Sequence, residues 1–239
     1  MKYAVISDIH SNLEALKTVL SYLQLQSIDK IICLGDIVGY GPHPNECINV
    51  VKSECDVCIM GNHDHAVLGL TDISYFNQFA KDSVIWTQSQ LTNESKSFLT
   101  NLPFTFETED TLFVHSTPVE PEEWNYILSS QEAKNYLEKI NYKLVFIGHS
   151  HVPVIFSYEH GPVFEKSMSL DLKNERYIVN VGSIGQPRNK DPRSCFVIYD
   201  DVTNKIEYVL LDYDIKKTYQ DIIERKLPPF LATRLLSGF

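Results

Sequence analysis

Basic residues are scarce in this 239-residue chain: 21 Lys and Arg stand against 31 Asp and Glu, a formal net charge of −10. That deficit argues against non-specific nucleic-acid binding, whose affinity comes from cations neutralising phosphates. Also missing is any apolar run near the roughly 18 residues needed to cross a bilayer, and no basic n-region precedes the first strand-like run. No membrane association is expected, and the expected compartment is the cytoplasm. Cysteine is sparse and odd in number: Cys33, Cys47, Cys55, Cys58 and Cys195, three of them in or beside apolar strand-like runs where thiols pack as small hydrophobes. Cys55 and Cys58 form a CxxC without a second pair, and they read as structural thiols. No Pro/Gly/Ser-rich linker or shift in composition divides the chain, so one domain over residues 1–239 is expected.

What the chain does hold is oxygen and imidazole in five short clusters, each just after a strand-like run. They are Asp8-Ile9-His10, Gly35-Asp36, Gly61-Asn62-His63-Asp64, His115 and Gly148-His149-Ser150-His151. Singly, each has a blander reading: an Asp before a helix commonly caps it, and Gly-Asp is ordinary turn chemistry. Together they suit two hard or borderline cations sharing a carboxylate, the usual apparatus for hydrolysing phosphate esters. Two such ions add about four positive charges at one spot and reverse the local field of an acidic protein.

The order of elements places these clusters. Tyr3 to Ile6 is a strand, and Asn12 caps a helix carrying Leu13, Leu16, Val19, Leu20 and Leu23 at helical spacing. Ile31 to Leu34, a helix near Asn45 to Val51, and Val57 to Met60 continue a βαβαβ pattern. Asp72 to Leu91 reads as one amphipathic helix, followed by a shorter one to Leu99 that Pro103 closes off. Phe104 to Glu107 and Thr111 to Val114 read as a hairpin, and a helix from Ser130 to Ile140 precedes the strand Leu144 to Ile147. Strands at Val154–Tyr158, Val163–Glu165, Tyr177–Val181, Cys195–Tyr199 and Lys205–Leu210 follow, then helices at Ile215–Glu224 and Leu231–Leu236. Such an order fits an α/β fold built as a four-layer α/β/β/α sandwich, two mixed sheets flanked by helices. Ligands gather beyond the carboxyl ends of such strands, where the clusters lie.

The ordered set Asp-x-His, Gly-Asp, Gly-Asn-His-Asp, a lone His and Gly-His-x-His resembles the calcineurin-like metallophosphoesterases. Gly182-Ser183-Ile184-Gly185-Gln186-Pro187-Arg188 and Gly35-Asp36-Ile37-Val38-Gly39-Tyr40-Gly41-Pro42 are similar to phrases of its small bacterial and archaeal, phosphodiesterase-type branch. The resemblance implies a metal-dependent phosphoric ester hydrolase in which a hydroxide bridging the two ions attacks phosphorus. Asp8, His10, Asp36 and His151 would hold one ion, and Asp36, Asn62, His115 and His149 the other. Manganese is the expected metal, with iron, zinc, nickel or cobalt suited to the same mixed donors.

His63 would donate a proton to the leaving alcohol. Asp64 would orient the His63 ring or, alternatively, cap the following turn. Asn62 and Arg188 would contact the substrate phosphate, Arg188 through its planar fork or else as a surface ion pair. His43 and His65 line the cleft mouth or sit in solvated loops. Loops 39–46, 65–76, 118–126 and 186–193 would set specificity, and Trp124, Tyr126 and Tyr75 either stack on a nucleobase or pack into the core. The expected substrate is a small phosphate ester or nucleotide. A dinucleoside polyphosphate, a protein phosphoserine or phosphothreonine, and a non-catalytic module of the same fold are the alternatives; an intact Asn62-His63 pair disfavours the last.

Overall fold

A computed structural model describes residues 1–239. Its eleven strands are β1 Lys2–Ile6, β2 Lys30–Cys33, β3 Val57–Cys58, β4 Thr105–Glu107, β5 Thr111–Val114, β6 Leu144–Ile147, β7 Val154–Ser157, β8 Ser167–Ser169, β9 Tyr177–Asn180, β10 Ser194–Asp200 and β11 Lys205–Leu211. The helices are α1 Leu13–Leu23, α2 Pro44–Glu54, α3 Asn62–Val67, α4 Gln78–Gln90, α5 Asn93–Thr100, α6 Ser130–Leu137, α7 Ile215–Glu224 and α8 Pro229–Thr233. One sheet runs β3-β2-β1-β10-β11-β8 and the other β4-β5-β6-β9-β7. Both are mixed: β1 pairs parallel with β2 but antiparallel with β10, and β6 pairs parallel with β5 and β9 while β7 is antiparallel to β9.

Period-two alternation sorts the side chains into layers. Along β1, Tyr3 and Val5 face the second sheet and meet Phe113, Phe146 and Val179, whereas Ala4 and Ile6 face Leu16 and Val19 of α1 and Ile48 and Val51 of α2. Along β6, Phe146 points to the sheet interface, and Val145 and Ile147 pack on Ala133 and Leu137 of α6. Helices, sheet, sheet and helix therefore stack in that order, as expected. No helix is long and apolar enough to cross a membrane. The cysteines are free, with Cys33, Cys47 and Cys195 buried.

Local differences have identifiable causes. The stretch 72–91 is two elements: Asp72 caps a 3₁₀ turn at Ile73–Tyr75, the chain extends through Phe76, and Asn77 caps α4 by accepting from Ala80 N at 3.0 Å. Two capping side chains five positions apart break a continuous apolar periodicity. Helix α3 lies where only a motif loop was expected. Val163 makes one isolated bridge to Ile155 instead of a strand, and the unforeseen β8 pairs with β11. At the C-terminal end, α8 starts at Pro229, whose fixed φ suits a first turn, and passes into a 3₁₀ turn at Arg234–Leu236.

Candidate metal centre

All five clusters sit at the carboxyl ends of strands, four of them following β1, β2, β5 and β6 and the fifth opening α3 after β3. The chain must turn sharply there to aim side chains back over the sheet edges. Asp8, His10, Asp36, His149 and His151 all have positive φ, between 49° and 65°. That left-handed conformation costs non-glycine residues about 1–3 kcal/mol and concentrates at functional sites. Gly35 and Gly61 allow two of the loops to touch backbone to backbone. A Cβ on Gly35 would lie 2.4 Å from Gly61 N, and one on Gly61 2.2 Å from Asp36 N.

The side chains converge. Donor atoms of Asp8, His10, Asp36 and His151 lie within 4.8 Å of one another, all buried. Asp36 Oδ2 is 3.5 Å from His10 Nε2 and also 3.5 Å from His115 Nε2, which places it between two groups of donors. His115 Nε2 lies 3.2 Å from Asn62 Oδ1, and its ring centroid is 5.1 Å from that of His149.

The hydrogen bonds orient each imidazole. His10 Nδ1 donates to Val38 O at 3.0 Å, His115 Nδ1 to Leu34 O at 2.9 Å, His149 Nε2 to Trp124 O at 2.9 Å and His151 Nδ1 to Gln186 O at 2.5 Å. A carbonyl only accepts, so these nitrogens carry protons, which leaves the other nitrogen of each ring as the one that can offer a lone pair to a cation once it is unprotonated. The carboxylates divide similarly: Asp8 Oδ2 accepts from His149 N at 3.1 Å and Asp36 Oδ1 from His63 N at 2.7 Å. Asp8 Oδ1 is buried without a hydrogen-bond partner, although His151 Nε2 is 3.1 Å away. An orphaned carboxylate oxygen among inward lone pairs fits a cation, because without one they repel.

Electrostatics agree with that fit. Burial raises the Asp8 and Asp36 carboxyls, yet the surrounding imidazoles, led by His151 for Asp8 and His115 for Asp36, hold both below the ordinary carboxylate range. Burial pushes His149 down to about 3 and His151 down to about 4, the latter helped by Arg188. Burial also lowers His115, but Asp36 overcomes it and raises the ring to about 9, so a cation there must displace its proton.

The flanking candidates divide. The His63 ring stands 4.9 Å from that of His10 and 4.4 Å from that of Tyr40, with Nδ1 buried and unpartnered. Burial holds its pKa well below the ordinary histidine value. Of the two readings of Asp64, orienting the His63 ring or capping the turn, its hydrogen bonds match the second. Its Oδ1 accepts from Val38 N at 3.1 Å and its Oδ2 from Gly61 N at 3.2 Å, which ties α3 to the Asp36 loop and leaves no bond to the His63 ring. Arg188 makes no surface ion pair. Its Nη2 donates to Gln186 Oε1 at 2.9 Å, its Nε is buried and unpartnered, and its guanidinium lies 5.7 Å from the Tyr40 ring centroid.

His43 and His65 stay outside the cluster, His43 paired with Asp221 at 2.9 Å and His65 with Thr71 at 2.7 Å. Sequence reasoning missed Tyr40, packed on His10 and His63, and Arg234, 6.0 Å from the same Tyr40 ring. It also missed the orienting carbonyls, which carry no side-chain signature.

Comparison with known proteins gives the family. The calcineurin-like phosphoesterase superfamily domain matches residues 1–204. The chain is 40% identical to protein MJ0912 of Methanocaldococcus jannaschii over 98% of its own length and 97% of that protein's. The solved metallophosphoesterase of Sphaerobacter thermophilus is 35% identical with a TM-score of 0.89, covering 100% of this chain and 99% of its own. Hypothetical protein PH1004 of Pyrococcus horikoshii OT3, 22% identical, shares the fold at a TM-score of 0.82 over 100% of this chain and 98% of its own. The chain belongs to the calcineurin-like phosphoesterase superfamily. It is a metal-dependent phosphoric ester hydrolase.

Proposed function

We propose that the protein holds two cations and hydrolyses small organic phosphate esters or nucleotides in the cytoplasm. Asp8, His10, Asp36 and His151 would hold one cation, and Asp36, Asn62, His115 and His149 the other, with manganese the first choice and iron, zinc, cobalt or nickel suited to the same donors. When bound, the cations supply positive charge against the phosphoryl oxygens and an acidified water as nucleophile. The observation that carries this reading is Asp36 Oδ2 standing 3.5 Å from both His10 Nε2 and His115 Nε2, each of those rings held by a carbonyl behind it.

The chain's own residues supply the rest. His63 is neutral in the free protein, and an anionic phosphate beside it raises its proton affinity and readies it to protonate the leaving oxygen. Arg188, with an unpartnered Nε and no carboxylate partner, grips a non-bridging oxygen. Asn62 contacts the same phosphate. Assays of p-nitrophenyl phosphate and its bis-ester with added manganese test this reading. Silence on both, and on dinucleoside polyphosphates, would leave a non-catalytic module.

A further inference from the structure

Beside the cluster lies a cavity of about 260 Å³, lined on one side by Asn62, His63 and His149. Its other walls are Tyr40, Tyr75, Phe76, Asn77, Ala80, Trp124 and Tyr126. The lining contains no Lys, Arg, Asp or Glu, so the cavity holds no charged side chain to pair with a second phosphate or an ammonium group. Its volume lies just under the usual range for whole small-molecule sites, which suits one planar group and not a dinucleotide.

The aromatic walls are not equivalent. Trp124 is committed to packing, its ring centroid 5.5 Å from His65 and 5.8 Å from Phe104. Tyr126 lies parallel on His149, centroids 3.9 Å apart and planes 13° apart, yet is 46% exposed. Tyr75, at the end of the 3₁₀ turn that precedes α4, is 90% exposed and has no ring partner. A tyrosine that covers no core beside a cavity of aromatic rings is a stacking face in search of a ligand.

We infer that this cavity holds the leaving group of the substrate and selects a neutral planar base, a nucleoside 5′-alcohol being the chemical class that fits, with Tyr75 and Tyr126 as its stacking residues. The assignment of the leaving side rests on the proposed role of His63, whose ring lines the cavity. The oxygen that takes a proton from His63 must belong to the group lodged there. In the step implied, the water oxygen bonds to phosphorus and the bond from phosphorus to the nucleoside O5′ breaks. Its electron pair passes to O5′, His63 protonates that oxygen, and the proton shed by water returns to His63 through solvent.

Adenosine 5′-(methyl phosphate) and ribose 5-(methyl phosphate) differ only in the base and test the inference on the full-length, manganese-loaded protein. The expected products of the first are adenosine and methyl phosphate, with kcat/KM exceeding that of the ribose diester by roughly 10- to 100-fold. That ratio should fall toward one in the Tyr75→Ala/Tyr126→Ala double variant, with thermal melt and manganese content matching the parent, because Tyr126 also stacks on His149. Release of AMP and methanol, or a ratio the variant leaves unchanged, would overturn the inference. Calorimetry with adenosine alone reads the cavity without turnover: binding that weakens in the double variant supports it, and no binding, or binding the variant does not alter, overturns it. If neither diester is cleaved but adenosine binding is lost in the variant, the hydrolase reading fails and the cavity stands. Cleavage of both diesters without preference fails the cavity alone.

Discussion

His10 and His151 face each other with their Nε2 atoms 3.1 Å apart, while the Nδ1 of each donates to a backbone carbonyl, Val38 for one and Gln186 for the other. At that distance either a shared proton or a cation held by both rings relieves the repulsion of their lone pairs. Added manganese should therefore raise the melting temperature and EDTA should lower it. A ligand at 100 times its Kd contributes about 2.7 kcal/mol of folded-state stability. His151→Ala should abolish most of that shift. Equal melting curves with and without manganese, together with no metal by elemental analysis, would contradict the centre.

Asp36 and His63 should separate by metal content. Asp36→Asn weakens the shared position between the two donor groups and should remove both metal and most activity. His63→Ala should retain metal while kcat falls on the order of 10²- to 10⁴-fold. Loss of metal from the His63 variant would show that its ring is a ligand and not an acid.

Asp64→Ala should act on stability. It leaves the buried N–H groups of Val38 and Gly61 without acceptors, at a cost of about 1–3 kcal/mol. Urea unfolding measures this, and an unchanged midpoint with a large drop in kcat would restore Asp64 to a role at His63.

Glu175 should confer acid sensitivity on the second sheet. Burial raises its carboxyl, but hydrogen bonds from Ser157, from Glu159 N at 3.0 Å, from Tyr177 Oη at 2.8 Å and from the His160 ring win and lower it from 4.5 to about 2. Because the folded value is the depressed one, its stabilisation is fully present above about pH 4.5 and is lost as pH falls toward 2. Solvent screening reduces the contribution at neutral pH to on the order of 1 kcal/mol. Unfolding free energies of Glu175→Gln and the parent should differ at pH 7 and converge near pH 2; a constant difference would show a pH-independent packing role.

Much of this arrangement was legible in the chain. Alternation in Tyr3 to Ile6 and helical spacing from Leu13 to Leu23 are local patterns, and local patterns determine single elements. The ligand types were legible for the same reason, since Gly-Asn-His-Asp and Gly-His-x-His hold several donors within four residues. The break at Phe76 was hidden because an apolar periodicity over 72–91 outweighed the caps Asp72 and Asn77. The role of Asp64 was undecidable by spacing, since capping and orienting a ring both demand a carboxylate beside His63.

Sequence alone determined which donors this protein carries, that each follows a strand, and that its acidic balance leaves anion attraction to a local centre. Tertiary structure decided which ring nitrogen of His10, His115, His149 and His151 faces a carbonyl, that Asp36 Oδ2 stands between two donor groups, and that Tyr75 and Tyr126 border a cavity beside His63. The physical reason is separation along the chain. His10 and His151 are 141 positions apart and Leu34 and His115 81. Only the packing of two sheets sets the few ångströms on which a lone pair's direction depends.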